Sequence, residues 1–354
     1  MIKVLIIDDS SFMRQELSRL ISDDPEIEVI GTAFDGVNAL KKLETLKPDV
    51  ITLDIEMPQM DGLTFLKHIM ISNPIPVVVI SSLTQKGADV TLEAMRLGAV
   101  DIIAKPSGTI SLDIKKQQLE IIQKIKAASK VDCSKIKRIH QQVPVNKQDK
   151  LESQMQGLSC KHVVAIGVST GGPQTLLHII PKLPADLPAA VFVVQHMPPV
   201  FTKSFADRLN ILSNLNVKEA ESKDKVLQGN VYIAPGDFHM TVNKAGNIIE
   251  IGKEPSDTLH RPAVDVMMHS LVTSYGKNIT GVILTGMGKD GAEGLKRIHD
   301  NGGKTIAESE NTSVVYGMPR EAVRLGAADY ILDNDKIAQK IVELVKNNTT
   351  TMVS

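Results

Sequence analysis

Short apolar runs recur along the first third of the chain, each followed by a stretch with helical spacing. Lys3-Val4-Leu5-Ile6-Ile7 predicts a buried parallel strand, with Asp8-Asp9 at its C-terminal end. Val29 to Ala33, Asp49 to Leu53, Pro76 to Ile80 and Asp101 to Ala104 predict four more strands. Between them, helical spacing runs from Ser11 to Ile21, where Phe12, Leu17, Leu20 and Ile21 form an apolar stripe. A second helix is predicted from Asp35 to Leu46, closed by Lys47-Pro48. A third starts at Asp61-Gly62 with Asp61 as N-cap. A fourth spans Gln85 to Leu97 and stops at Gly98, and a fifth spans Leu112 to about Ala128. Five strand–helix repeats predict a doubly wound α/β domain on a parallel sheet.

Function in such sheets collects at the carboxyl ends of the strands. The pattern puts Asp8, Asp9, Asp54, Ser81 and Lys105 there. Three carboxylates on one rim repel each other, and Mg²⁺ with its preference for oxygen ligands is the natural neutraliser. A carboxylate beside Mg²⁺ and a lysine can attack a phosphoryl group, and the Ser81 hydroxyl could then bond the new phosphoryl oxygens.

From about Lys124 to Gly157 apolar periodicity fades into a polar, mildly basic tract, which predicts an interdomain linker. No aromatic residues interleave with its lysines and arginines, and the net charge of the chain is −1, so nothing points to nucleic acid or an anionic membrane.

Three apolar runs in the second half end in residues with catalytic chemistry. Val163 to Ile166 leads into Gly167-Val168-Ser169-Thr170-Gly171-Gly172 and then a helical stretch from Gln174 to Ile180. Gly-x-Ser-x-Gly between a strand and a helix is the nucleophile-elbow pattern. A dinucleotide fingerprint would need glycine where Ser169 stands. Ala190 to Val194 leads into Gln195-His196, and Ile279 to Leu284 into Thr285-Gly286-Met287-Gly288-Lys289-Asp290-Gly291. If these strands are parallel neighbours, Ser169, His196 and Asp290 share one rim as nucleophile, base and orienting acid. The order Ser, His, Asp differs from the Ser, Asp, His order of α/β-hydrolases. His178, His239, His260, His269 and His299 are competing bases, and His239, in a loop-like stretch, is the strongest, ranked as substrate-side or structural.

At 354 residues the chain suits two domains. Its two cysteines, Cys133 and Cys160, lack metal-site spacing and fit a reducing cytoplasm. No apolar run approaches the length of a membrane span, and the N-terminus enters a strand pattern directly.

Residues 1 to about 122 resemble a response-regulator receiver, through Asp8-Asp9, Asp54 with Met57-Pro58-x-Met60-Asp61-Gly62, and Lys105-Pro106. The resemblance implies a flavodoxin-like fold with Asp54 as phospho-acceptor. It implies Mg²⁺ held by Asp9, Asp54 and the backbone carbonyl of Glu56, with Asp8 in support. It also makes Lys105 the phosphoryl contact and Ser81 the switch hydroxyl. Ile102 stands where many receivers carry Tyr or Phe.

In the second half, His196-Met197-Pro198-Pro199, Ala234-Pro235-Gly236-Asp237-x-His239, Arg261-Pro262-Ala263-Val264-Asp265, Thr285-Gly286-Met287-Gly288-x-Asp290-Gly291 and Val314-Val315-Tyr316-Gly317-Met318-Pro319 resemble the chemotaxis protein-glutamate methylesterases. Ala307-Glu308-Ser309-Glu310 departs mildly from the Ala-Gln-Asp-Glu usual there. The whole chain is then similar to a receiver (1–122), a linker (123–158) and a Rossmann-like methylesterase domain (159–350). The resemblance implies hydrolysis of γ-glutamyl methyl esters, and deamidation of some glutamines, on methyl-accepting chemoreceptors. Thr170 and Met287 would line the site, the Met287 N–H as oxyanion donor. A chemotaxis histidine kinase would phosphorylate Asp54 and relieve a block imposed by the receiver. The protein would be cytoplasmic, meet the membrane only through receptors, and use no cofactor in the esterase step. A DNA-binding output would need a basic helix-turn-helix after the linker, and a nucleotide-binding one would need the missing fingerprint.

Overall fold

The computed structural model describes residues 1–105, 112–135 and 160–350. The chain divides into two compact units, Met1–His140 and Gln141–Ser354.

The first unit is a five-stranded parallel sheet in the order β2-β1-β3-β4-β5. Its strands are β1 (Ile2–Ile7), β2 (Ile27–Ala33), β3 (Val50–Asp54), β4 (Val77–Ser81) and β5 (Asp101–Ala104). The helices are α1 (Ser11–Ser22), α2 (Gly36–Leu43), α3 (Gly62–Ser72), α4 (Gln85–Leu97) and α5 (Leu112–Ala128). β1, β3 and β4 are apolar at nearly every position because helices cover both faces of a parallel sheet. The first four helices start on side-chain caps. The oxygens of Ser10, Asp35, Asp61 and Thr84 accept the N–H groups of Met13, Asn38, Thr64 and Gly87. Each such cap stabilises its helix by about 1 kcal/mol.

Three details depart from the sequence pattern. Leu17, Leu20 and Ile21 bury the inner stripe of α1, but Phe12 is 65% exposed. At roughly 100° per residue Phe12 lies about 180° from Ile21, so it cannot share that face. α2 ends at Leu43 rather than Leu46, because Glu44 and Thr45 donate to carbonyls only three residues back. α5 runs unbroken through residue 122, with Ile121, Ile122, Ile125 and Ala128 buried, so the first unit extends beyond the expected boundary at 122. Most of the expected linker, residues 136–158, and Pro106 lie outside the described residues.

The second unit holds a seven-stranded parallel sheet in the order β14-β13-β12-β6-β7-β9-β8. In chain order its elements are β6 (Val163–Val168), α6 (Gly172–Ile179), β7 (Ala190–Gln195), α7 (Phe201–Leu212), β8 (Asn216–Glu219) and β9 (Asn230–Ile233). An antiparallel pair follows, β10 (His239–Val242) and β11 (Ile249–Gly252), then α8 (Val264–Tyr275) and β12 (Ile279–Ile283). The unit closes with α9 (Ala292–Asp300), β13 (Lys304–Glu308), α10 (Met318–Arg324), β14 (Tyr330–Leu332) and α11 (Asn334–Thr350). Phe192, Met267, Met268, Leu271, Leu295, Ile298 and Met318 are among the fully buried residues that join sheet to helices. From β6 the chain winds outward through β7, and from β12 it winds the other way through β13. The crevice between the carboxyl ends of β6 and β12 is thus a topological switch point, where open α/β sheets place their sites. Both units are α/β with doubly wound parallel sheets.

Candidate active site

The rim of the second unit is assembled by strand register. Val168 of β6 pairs with Gln195 of β7, and Gly167 pairs with Ile283 of β12. The pairing continues past the strand ends: His196 N donates to Val168 O (3.2 Å), and Ser169 N to Thr285 O (3.0 Å). Ser169 and His196 therefore leave adjacent strands side by side. The Gln195 amide ties the two turns together, donating to the carbonyls of Ser169 (3.0 Å) and His196 (3.1 Å).

The serine turn is tight. Gly171 has φ +78°, and a Cβ there would meet Val314 Cβ at 2.5 Å. The next segment closes from the β12 side. A Cβ on Gly286 would lie 2.8 Å from Ser169 Cβ, so only glycine lets the Thr285-Gly286-Met287 backbone approach the serine this closely. Thr285 holds that approach: its hydroxyl donates to Thr170 O (2.9 Å), its N–H donates to Glu308 Oε2 (2.8 Å), and its oxygen accepts Val315 N (2.9 Å). Glu308 is fully buried, and its other oxygen accepts the Thr312 hydroxyl. The departure from the usual motif at Glu308 thus sits in the scaffold beneath the Met287 loop. Thr170 is buried and Met287 half-buried.

Asp290 follows that loop, just before α9. Its Oδ2 accepts His196 Nε2 at 2.7 Å, with the two side chains 14% and 8% exposed. The first two amides of α8 bind the same carboxylate: Val264 N to Oδ2 (2.7 Å) and Asp265 N to Oδ1 (3.0 Å). Burial pushes the Asp290 carboxyl up, but the hydrogen bond and charge of His196 and the two amides hold it well below the usual carboxylate range. With Nε2–H donated to Asp290, the lone pair resides on Nδ1, which is buried without a hydrogen-bond partner among the described residues.

His239 is not in a loop: it opens β10, is 1% exposed, and uses both ring nitrogens. Nδ1 accepts Ala263 N (3.2 Å), and Nε2 meets Pro255 O (3.1 Å) and the Thr258 hydroxyl (3.2 Å). The ring shapes the segment leading to α8. His178 is buried at the end of α6 against Lys182, while His269 lies on α8 and His299 on α9. His260, one of the competing bases, stacks on His196 with ring centroids 4.1 Å apart. That neighbour and Asp265 have no local signal beyond lying in or beside the Arg261-to-Asp265 motif.

In the first unit, Asp8, Asp9 and Asp54 offer carboxylate oxygens all within 4.8 Å of one another. Lys105 Nζ lies 2.7 Å from Asp54 Oδ2 and 3.3 Å from Asp8 Oδ2. Asp8 Oδ2 is buried, with the Lys105 ammonium as its ion-pair partner. Burial raises the carboxyls of Asp8 and Asp54 despite Lys105. Three converging carboxylates, two of them disfavoured as anions by burial, are hard oxygen ligands that fit Mg²⁺. Ser81 ends β4 on the same rim and its carbonyl accepts Lys105 N (2.8 Å), while the Glu56 N–H donates to Asp54 Oδ1 (3.3 Å).

A family model for the CheB methylesterase matches residues 164–341, and one for the response regulator receiver domain matches residues 4–115. The chain belongs to the CheB methylesterase family. Among curated relatives, the protein-glutamate methylesterase/protein-glutamine glutaminase of Pyrococcus horikoshii is 47% identical over 349 residues, covering 98% of this chain and 94% of that protein. One of the same name from Hydrogenovibrio crunogenus is 44% identical, covering 98% and 99%. The solved catalytic domain of the Thermotoga maritima CheB methylesterase is 47% identical and covers 53% of this chain and all of its own, with a TM-score of 0.51. By these two models, the first parallel-sheet unit is a response regulator receiver domain and the second a methylesterase domain. No helix among the described residues is long and apolar enough to cross a membrane.

Proposed function

We propose that this chain removes methyl esters from glutamyl side chains of chemoreceptors, and deamidates some of their glutamines, under control of phosphorylation at Asp54. The observation that carries the reading is the His196–Asp290 bond with Nδ1 left unpartnered next to the serine turn.

Ser169 Oγ attacks the ester carbonyl while His196 Nδ1 takes its proton. Asp290 holds Nε2–H and stabilises the imidazolium that forms. The Met287 N–H faces the developing oxyanion. The tetrahedral intermediate collapses, His196 returns the proton to the methoxide, and methanol leaves an acyl-Ser169. Water, deprotonated by the same ring, hydrolyses this to glutamate. A primary amide passes through the same intermediate and releases ammonia.

In the receiver, Asp8, Asp9 and Asp54 with the Glu56 carbonyl would hold Mg²⁺, which supplies charge neutralisation for phosphoryl transfer. Asp54 accepts the phosphoryl group from a histidine kinase, with Lys105 and Ser81 to bond its oxygens. The test is methanol release from methylated receptor membranes, with and without a small-molecule phosphodonor. Ser169→Ala is expected to lower release by at least about 10³-fold, and His196→Ala nearly as much, because triad members act as a unit. Undiminished release from Ser169→Ala refutes the assignment.

A further inference from the structure

The Ala234-to-His239 motif takes no part in the reaction described above, and neither does the Arg261 side chain. Each is committed to the other. Arg261 donates to Asp237 Oδ1 through Nε (3.1 Å) and Nη2 (2.9 Å), and its carbonyl accepts Asp237 N (3.1 Å). His239 accepts Ala263 N on Nδ1, and its Nε2 meets Pro255 O and the Thr258 hydroxyl. Asp237 thus ties the chain just after His260, and His239 ties it on both sides of that residue. The same motif also leans on the loop that follows the catalytic base. A Cβ on Gly236 would lie 2.3 Å from Pro199 N. Carried by these ties, the half-buried His260 lays its ring on that of His196, with centroids 4.1 Å apart and planes 21° from parallel.

The base needs such a neighbour. Backbone hydrogen bonds to Val168 O and from the Gln195 amide fix the His196 main chain, and Asp290 fixes Nε2. Two fixed ends leave the ring free to turn about the line that joins them. The torsion that sets a histidine ring plane is broad, with no deep well to stop this turn. Nδ1, the nitrogen that serves as base in the proposed reaction, has no hydrogen bond among the described residues to stop it either. A flat ring at stacking distance does stop it, because any large turn drives the two rings together or forfeits their contact.

We propose that His260 is a positioning residue of the esterase: its ring, held by Asp237 and His239, fixes the plane of the His196 imidazole and so the direction of Nδ1. The role belongs to the flat face of the ring. It acts on turnover through the base, whatever carries the ester.

The inference rests on the Ser169–His196–Asp290 reading. Full-length protein tests both, by methanol release from methylated receptor membranes and from a short soluble peptide carrying a glutamyl methyl ester. His260→Ala is expected to lower kcat about three- to thirtyfold on both substrates, with KM little changed. His260→Phe, flat but without ring nitrogens, is expected to recover most of that loss. His260→Gln, polar but without a ring, is not. Asp237→Ala is expected to lower kcat in the same direction and to add little in the His260→Ala background, since both changes reach one contact. Thermal melts identify a variant that fails to fold, and the comparison of Phe with Gln carries the test without the Ala variant. A loss confined to receptor membranes and carried by KM marks a substrate contact and overturns the proposal. Recovery by Gln but not by Phe marks a hydrogen bond and overturns it too, as does full activity in His260→Ala. Strict additivity of the Asp237 and His260 losses overturns the tether. Activity persisting in His196→Ala would instead overturn the triad beneath the proposal.

Discussion

Replacing Asp290 with Asn probes how the catalytic base is held. The native carboxylate receives three donors: His196 Nε2 and Val264 N on Oδ2, and Asp265 N on Oδ1. An asparagine has one oxygen. Placed in the position of Oδ2, it keeps the histidine and Val264 and turns its NH₂ toward the Asp265 N–H, orphaning one donor at about 1–3 kcal/mol. Flipped, it orphans Val264 N and forces the proton from Nε2 to Nδ1, which disables the base. Each orientation orphans one backbone amide, but the flipped one also strands a proton on Nδ1, which is buried without a hydrogen-bond partner, so the tautomer is expected to survive and the charge to be lost. A carboxylate facing an imidazolium at about 4 Å contributes about 4 kcal/mol at an effective dielectric near 20, or about 10³ in kcat. That is smaller than the loss of about 10⁴ that accompanies the wrong tautomer in a serine-protease triad. Initial rates of methanol release over a range of receptor concentrations measure it, with a thermal melt to show that the variant is folded. A folded Asp290→Asn within tenfold of wild-type kcat would refute the electrostatic role assigned to this residue.

Two further outcomes test the scaffold and the receiver. Gly171→Ala forces a side chain into a φ of +78° against Val314, and is expected to destabilise the catalytic unit by about 2–4 kcal/mol in denaturant titrations; a loss under about 0.5 kcal/mol contradicts the geometry. In the receiver, burial raises Asp8 and Asp54, so the native state binds more protons than the unfolded chain. Their contribution to stability is present below the ordinary carboxylate range and is lost as pH rises through the raised values. The melting shift produced by Mg²⁺ is therefore expected to grow as pH rises through that range, and to shrink in Asp54→Asn, which also loses phosphodonor stimulation of methanol release; an undiminished Mg²⁺ shift in that variant places the ion elsewhere.

Much of this protein was legible locally. A run such as Val77 to Ile80 announces a two-sided buried strand, Asp61 before Gly62 announces a helix start, and the residue after a strand lies on the functional rim whatever its partners are. Ser169, His196, Asp290 and the acidic rim of the receiver were proposed that way, because burial and turn chemistry leave a periodic trace in sequence. Contacts between distant segments leave none. Phe12 fits an apolar stripe by composition but turns to solvent, and His239 sits among loop-forming residues yet is buried in β10 with both nitrogens used. The register of β6 against β7 and β12 set Ser169 and His196 at the ends of adjacent strands, and His196 Nε2 bonds Asp290 across the rim. The docking of α8 decided which histidine nitrogen stays free and set Asp265 behind Asp290. Sequence by itself determined which residues had the chemistry and which rim they occupied; only the tertiary structure decided which atoms face one another, because hydrogen-bond direction is set by side chains that arrive from opposite ends of the domain.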